Sequence, residues 1–226
     1  MVPSTLMPAA RTSAAPSTPT PGLSSFAFPT TIDPTARYLF YLHGKIIEDQ
    51  GLPAISNEYG EYRYIEILET LRSDGLVVIS EQRLRNADGV AYARRVAAQV
   101  ADLRELGVPP GSITVVGASK GAAIAIFVSA LVADPHVNYV LLGACDASTI
   151  AELVQQGVRL CGNVLTISDS SDEYAGSCES LFALSEGNAL GRHAELVLHV
   201  GTGHGILYQP LTEWVVPTVK WAKQEW

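Results

Sequence analysis

The chain has 226 residues, 47% of them apolar and 17% charged, with a formal net charge of −8. That length suits one α/β domain with a substantial core and is short for two, while the acidic balance argues against nucleic acid as the main partner, since phosphate backbones call for basic surface. No apolar run approaches the roughly 20 residues that span a bilayer, so no transmembrane segment is expected.

Pro, Ser, Thr and Ala dominate residues 1 to about 33, and no acidic residue appears before Asp33. Such a segment cannot bury enough apolar surface to offset its ordering entropy, which reads as a flexible tail ahead of a single domain over 34–226. Ser25-Phe26-Ala27-Phe28 has the pattern of a short edge strand. The tail lacks the apolar stretch of a secretory signal, so a cytoplasmic location is the default expectation. Oligomeric state is not legible.

From Ala36 onward strands and helices alternate. Tyr38-Leu39-Phe40-Tyr41-Leu42 is a continuous apolar run, as expected of a strand buried on both faces. Helical spacing runs from Tyr62 to Arg72, and Leu76-Val77-Val78-Ile79-Ser80 is the next strand. Ala91 to Leu106 reads as an amphipathic helix with Ala98, Val100, Leu103 and Leu106 inward, and with Arg94 and Arg95 on a solvated face. Strands follow at Ile113–Val116, Val137–Leu142, Val164–Ile167 and Glu195–Val200. Helices lie after Ser119 to about Ala133, over Ile150–Leu160, near Glu179–Leu184, and from Leu211 to Lys223. Six strands separated by helices require parallel pairing with right-handed crossovers. The expected fold is α/β: a doubly wound, mostly parallel sheet with helices on both faces.

Cys145, Cys161 and Cys178 form neither a disulfide framework nor a zinc-ligand spacing. Three unpaired thiols are the expectation, consistent with a reducing compartment. If one bridge exists, Cys145 to Cys178 is the pair near strand ends.

Gly117-Ala118-Ser119-Lys120-Gly121 lies between an apolar strand and a small-residue helix, the G-x-S-x-G arrangement of a nucleophile elbow. A serine at so sharp a turn is held in strained backbone geometry, and larger neighbours two residues either side would collide. In an open parallel sheet the site forms beyond the carboxyl ends of the strands. His43-Gly44-Lys45 follows the first strand there, Asp169 and Asp172 the fifth, and Gly201-Thr202-Gly203-His204-Gly205 the last. The last segment lacks the spacing and the following βαβ unit of a dinucleotide site, and Lys120-Gly121 has the wrong order for a phosphate loop.

Serine, acid and histidine in that chain order, each just past a strand, resemble the α/β-hydrolase superfamily over about residues 36 to 226. The resemblance implies Ser119 as nucleophile and His204 as general base. Asp172 is the favoured acid, Asp169 the second choice and Asp146 the third; for each, the alternative is a helix cap or a turn aspartate. It implies an oxyanion hole from the backbone N–H of Lys120 and of Lys45, with Ile46 next; the Lys120 side chain is expected in solvent. His199, His136 and His193 are expected to be structural, His199 inside its strand and the other two in loops. The interval between the fourth and fifth strands holds one helix and no lid domain. An open cleft bordered by the loops 46–62 and 170–178 is therefore expected, with acidic Glu48-Asp49 shaping one side. The implied activity is a serine hydrolase of small-molecule carboxylic esters without metal or cofactor. Thioesterase or lysophospholipase action would use the same triad, and a non-catalytic binding protein of this fold is the reading from another class.

Overall fold

The computed structural model describes residues 23–226; most of the proposed tail, 1–22, lies outside them. The six long apolar runs become strands of one sheet, joined as follows. After β1 (Tyr38–Leu42) come α1 (Lys45–Gln50), a hairpin of β2 (Ile55–Ser56) and β3 (Gly60–Glu61), α2 (Tyr64–Ser73) and β4 (Val77–Ile79). Then come α3 (Gly89–Glu105), β5 (Ile113–Ala118), α4 (Lys120–Val132), β6 (Asn138–Leu142) and α5 (Ala147–Gln155). The chain finishes with β7 (Gly162–Asp169), α6 (Glu179–Ser185), β8 (Leu190–Leu198) and α7 (Thr212–Lys223).

The main sheet runs β4-β1-β5-β6-β7-β8, and every neighbouring pair is parallel. The chain starts inside the sheet, steps out to β4, and returns on the other side of β1 to lay down β5 to β8. The strand order therefore reverses between β1 and β5, and the loops leaving their carboxyl ends part to open a crevice.

Alternation along β1 explains the two covered faces. Leu39 and Tyr41 join a core with Ile67, Leu68 and Leu71 of α2 and Trp214 and Trp221 of α7. Tyr38, Phe40 and Leu42 join the opposite core, with Val96, Val100 and Leu103 of α3 and Ile124, Ile126 and Val128 of α4.

Several expectations are corrected. Ser25–Phe28 forms no edge strand; Leu23–Phe26 is a turn of 3-10 helix, and Phe26 is fully buried. Its carbonyl accepts the Ser80 amide at 2.7 Å, so packed chain extends well before residue 34. The loop 46–62 contains α1 and the β2–β3 hairpin. On α3 the inward face is Ala93, Val96, Val100 and Leu103, while Leu106 follows the helix and is exposed. The last strand begins at Leu190, which puts His193 inside it and leaves exposed His199 just past its end. Cys145 and Cys178 form a disulfide with their Cα atoms 5.2 Å apart, and only Cys161 is free. Such a bridge persists in oxidising surroundings, so the cysteine argument for a reducing compartment falls away. No helix among the described residues is long and apolar enough to cross a membrane.

Candidate active site

Ser119 occupies the single residue between β5 and α4, with φ 54° and ψ −119°, a backbone conformation that side chains rarely adopt. The turn is held from both sides. The Ser119 amide donates to the Leu142 carbonyl of β6 at 2.9 Å, and its carbonyl accepts the Ala122 and Ala123 amides at 2.7 and 3.2 Å. Glycines flank it because backbone fills the space a side chain would need. A Cβ on Gly117 would stand 2.2 Å from the Gly121 carbonyl oxygen, and one on Gly121 1.9 Å from that of Leu42.

The loop after β1 reaches the same place. Gly44 precedes α1 in extended conformation, and a Cβ there would lie 3.7 Å from both Ser119 Cβ and the Ala118 carbonyl. Lys45 and Lys120 are thus the first residues of two helices that start beside Ser119. First-turn amides have no acceptor within their own helix and are available to a ligand.

His43, fully buried, braces this loop. Its Nε2 accepts the Arg83 amide at 2.9 Å, which leaves the ring proton on Nδ1, 2.8 Å from the Gly44 carbonyl. Burial, with help from the nearby Arg83 and Lys120 cations, lowers its pKa from 6.5 to about 3, so the ring stays neutral.

Asp172 and His204 meet across the loops that follow β7 and β8. Asp172 Oδ2 lies 2.8 Å from His204 Nδ1, with the carboxylate fully buried and the ring 12% exposed. The second oxygen of Asp172 accepts the Tyr174 amide at 2.9 Å, and the Tyr174 ring stands edge-on to the imidazole at 5.4 Å.

Asp169 does something else. Its Oδ1 accepts the amide and hydroxyl of Ser171, and its Oδ2 the amides of Val200 and Gly201. Burial would raise this carboxyl, but those four hydrogen bonds outweigh it and hold the group below its ordinary 3.8. The Ser171 hydroxyl in turn accepts the Gly203 amide at 3.0 Å. Asp169 thereby clamps the loop carrying Asp172 to the loop carrying His204. Asp146, the third candidate acid, caps α5 by accepting the Ser148 and Thr149 amides. His199 bonds Ser170 Oγ at 2.9 Å, exposed His193 packs on Phe182, and His136 sits exposed in a turn.

Gly143 lies against His204 and directly follows the strand end that holds Ser119. A Cβ on it would come within 3.1 Å of the His204 ring, while the Leu142 carbonyl before it holds the Ser119 amide. The Ser119 hydroxyl has no hydrogen-bond partner among the described residues, and such contacts are commonly loose before a ligand binds.

Two clefts open at this rim. One, of ≈ 530 Å³, is lined by Ser119, Lys45 and Lys120 together with Ile126, Ala144 and Cys145. The other, of ≈ 670 Å³, lies over Ser171, Gly203 and Gly205 and is bordered by Glu58 and Tyr59. Glu173 and Tyr174 line both, so they form the partition. The disulfide and a 2.9 Å bond from the Gly176 amide to the Ala144 carbonyl fix this partition to the loop after β6.

The acidic patch expected at Glu48-Asp49 resolves differently. Glu48 is buried and takes Arg83 Nε at 2.6 Å and Lys120 Nζ at 2.5 Å, so the Lys120 side chain is anchored on Glu48 and stays only 28% exposed. The sequence reading missed Arg83 altogether. A single arginine near a strand end carries no periodic signal, and its partner stands 35 residues away.

The architecture matches solved structures. SOBER1 from Arabidopsis thaliana aligns with 84% of this chain and 99% of its own, at TM-score 0.55 and 10% identity. Esterase PE8 aligns with 91% of this chain and 96% of its own, at TM-score 0.54 and 15% identity. For the Pyrococcus furiosus esterase Pf2001 both shares are 85%, at TM-score 0.53 and 14% identity. No protein-family model and no curated protein matches the sequence. Likeness at such identities speaks to architecture and leaves activity to the site itself. With its parallel sheet of order β4-β1-β5-β6-β7-β8 and a serine turn at the end of β5, the chain has the α/β-hydrolase fold.

Proposed function

We propose that the protein is a serine hydrolase of small carboxylic esters, working through a covalent acyl-enzyme. The observation that carries this reading is the buried Asp172–His204 pair at 2.8 Å, on the same sheet rim as a serine held at positive φ. A serine hydroxyl is a poor nucleophile without a neighbouring base, and the base needs an acceptor that fixes its tautomer.

In this reading Ser119 Oγ attacks the ester carbonyl and passes its proton to His204 Nε2. Asp172 holds the imidazole by Nδ1–H and stabilises the imidazolium. The carbonyl electrons move onto oxygen, and that oxyanion accepts hydrogen bonds from the amides of Lys120 and Lys45. As the tetrahedral intermediate collapses, the C–O bond to the alcohol breaks and His204 returns the proton to the leaving oxygen. Water then repeats the sequence on the acyl-Ser119 ester, releasing the acid and free serine.

Tyr174 divides the space, with Ser119 and the smaller cleft on one side. Only α5 lies between β6 and β7, where a lid would be inserted, so the site opens directly to solvent and favours short acyl groups. The test is hydrolysis of p-nitrophenyl esters of increasing acyl length. The wild type should turn over the acetate with a burst of p-nitrophenol that Ser119→Ala abolishes. Equal rates for the two proteins would refute the assignment.

A further inference from the structure

The buried cluster behind Ser119 is built around a single carboxylate. Glu48 projects from α1, whose first amide is that of Lys45, with its side chain 1% exposed. One of its oxygens takes Arg83 Nε and the other Lys120 Nζ, the side chain of the first residue of α4. Lys120 Nζ also donates to the Ala87 carbonyl at 3.1 Å. Arg83 is wholly buried and grips the loop between β1 and α1 twice: its amide reaches His43 Nε2 and its guanidinium the His43 carbonyl. Its Nη1 has no hydrogen-bond partner.

Two consequences follow from elementary electrostatics. First, the carboxylate ties together the two helices that start beside Ser119, so their spacing depends on it. Second, around the Glu48 carboxylate stand the Arg83 cation, wholly buried, and the Lys120 cation, partly exposed and within reach of the exposed Asp49, while the His43 ring is neutral. Burying a charge without a counter-charge is costly, and its field is strongest where water is excluded. A negative oxygen forming at Ser119 would balance it.

We infer that Glu48 and Lys120 are positioning residues for the oxyanion site, and that their cluster with Arg83 is matched in charge to the tetrahedral intermediate rather than to the bound ester. This inference rests on the proposed hydrolase reading. The cluster therefore contributes to the transition state and little to the ground state, the kind of interaction that raises kcat rather than lowers KM. A purely structural ion pair predicts no such split.

The test compares wild type, Lys120→Met and Lys120→Arg on p-nitrophenyl acetate, and measures Ki for an aryl trifluoromethyl ketone, which becomes an alkoxide on the serine. Lys120→Met keeps the backbone amide and the Glu48–Arg83 pair, and Lys120 is partly exposed, so folding should survive. In Lys120→Met, kcat should fall about tenfold or more, with KM within about twofold. Ki for the ketone should rise by the same factor as kcat falls, the thermal midpoint should stay close to wild type, and Lys120→Arg should recover most of kcat. Glu48→Gln, where it folds, should behave like Lys120→Met. Unchanged kcat and ketone affinity in Lys120→Met would overturn the inference. So would a fall in kcat without a change in ketone affinity, or an arginine variant as impaired as methionine. A wild type that neither turns over the ester nor binds the ketone would instead refute the hydrolase reading beneath it.

Discussion

The carboxylate of Asp172 meets Nδ1 of His204 at 2.8 Å, while Asp169, three residues earlier at the end of β7, points both oxygens at Ser171, Val200 and Gly201. Two neighbouring aspartates thus divide two tasks, one facing the ring and one holding the loops that present it. Asp172→Asn should keep the fold but lower kcat roughly a thousandfold to ten-thousandfold, because the amide favours the wrong imidazole tautomer. Asp169→Asn should instead cost about 1.5–3 kcal/mol of stability, the worth of hydrogen bonds to a charged group. Steady-state kinetics beside urea unfolding of both variants separates the two roles.

Two of the groups that shape acid stability, His43 and Asp169, act in different pH windows. The His43 ring is held neutral with a pKa of about 3 against an ordinary 6.5, so below pH 6.5 the unfolded chain binds a proton that the folded chain refuses. Its contribution is complete above pH 6.5 and declines as pH falls toward 3, by up to about 1.4 kcal/mol per pH unit. The Asp169 carboxyl is held below 3.8, so its contribution is complete above that value and is lost only as pH falls below it. Urea midpoints between pH 7 and 3 should therefore fall in the wild type and be flatter in His43→Gln, while Asp169→Asn, less stable throughout, should differ from the wild type in slope only below pH 3.8.

Cys145 and Cys178 close a loop of 33 residues that contains β7 and both aspartates. The chain-entropy relation assigns such a crosslink about 3–4 kcal/mol. Dithiothreitol, or Cys145→Ser with Cys178→Ser, should lower the urea midpoint accordingly. Equal midpoints with and without reductant would show that the bridge adds nothing to stability.

Glycine at 121 is required by contact, since a methyl group there would meet the Leu42 and His43 carbonyls at 1.9 and 2.8 Å. Both are backbone atoms and cannot swing aside. Gly121→Ala should cost about 3 kcal/mol or more, at or above the upper range for overpacking. Gly60→Ala serves as the comparison: it meets nothing within 4 Å and carries only the strain of its positive φ. Thermal midpoints of the two variants measure the difference.

What was legible in the sequence was what packing against the sheet makes periodic or continuous. Tyr38–Leu42 and Ile113–Ala118 are buried at every position, and Tyr38–Leu42 and Ile113–Val116 read directly as strands. The serine turn was legible from its two glycines, although only Gly117 answers to near neighbours, at Gly121 and Ala122, whereas Gly121 answers to the distant Leu42 and His43 carbonyls. Strand β8 was read too short because it lies at the sheet edge, where Arg192 and His193 face solvent and break the apolar run. Helix α1 has only six residues and ends at Gly51-Leu52-Pro53, too short to show a period. The pair Cys145–Cys178 was legible as the candidate bridge, though not that it forms, while the Glu48–Arg83–Lys120 cluster joins residues 35 and 72 positions apart and no local pattern records such pairings.

The most direct measurement is mass spectrometry of the protein after reaction with a fluorophosphonate, which phosphonylates an activated serine and expels fluoride. The account predicts one adduct per chain, located on Ser119, with labelling abolished in Ser119→Ala and greatly slowed in His204→Ala. An unlabelled wild type, or equal labelling of Ser119→Ala, would contradict it.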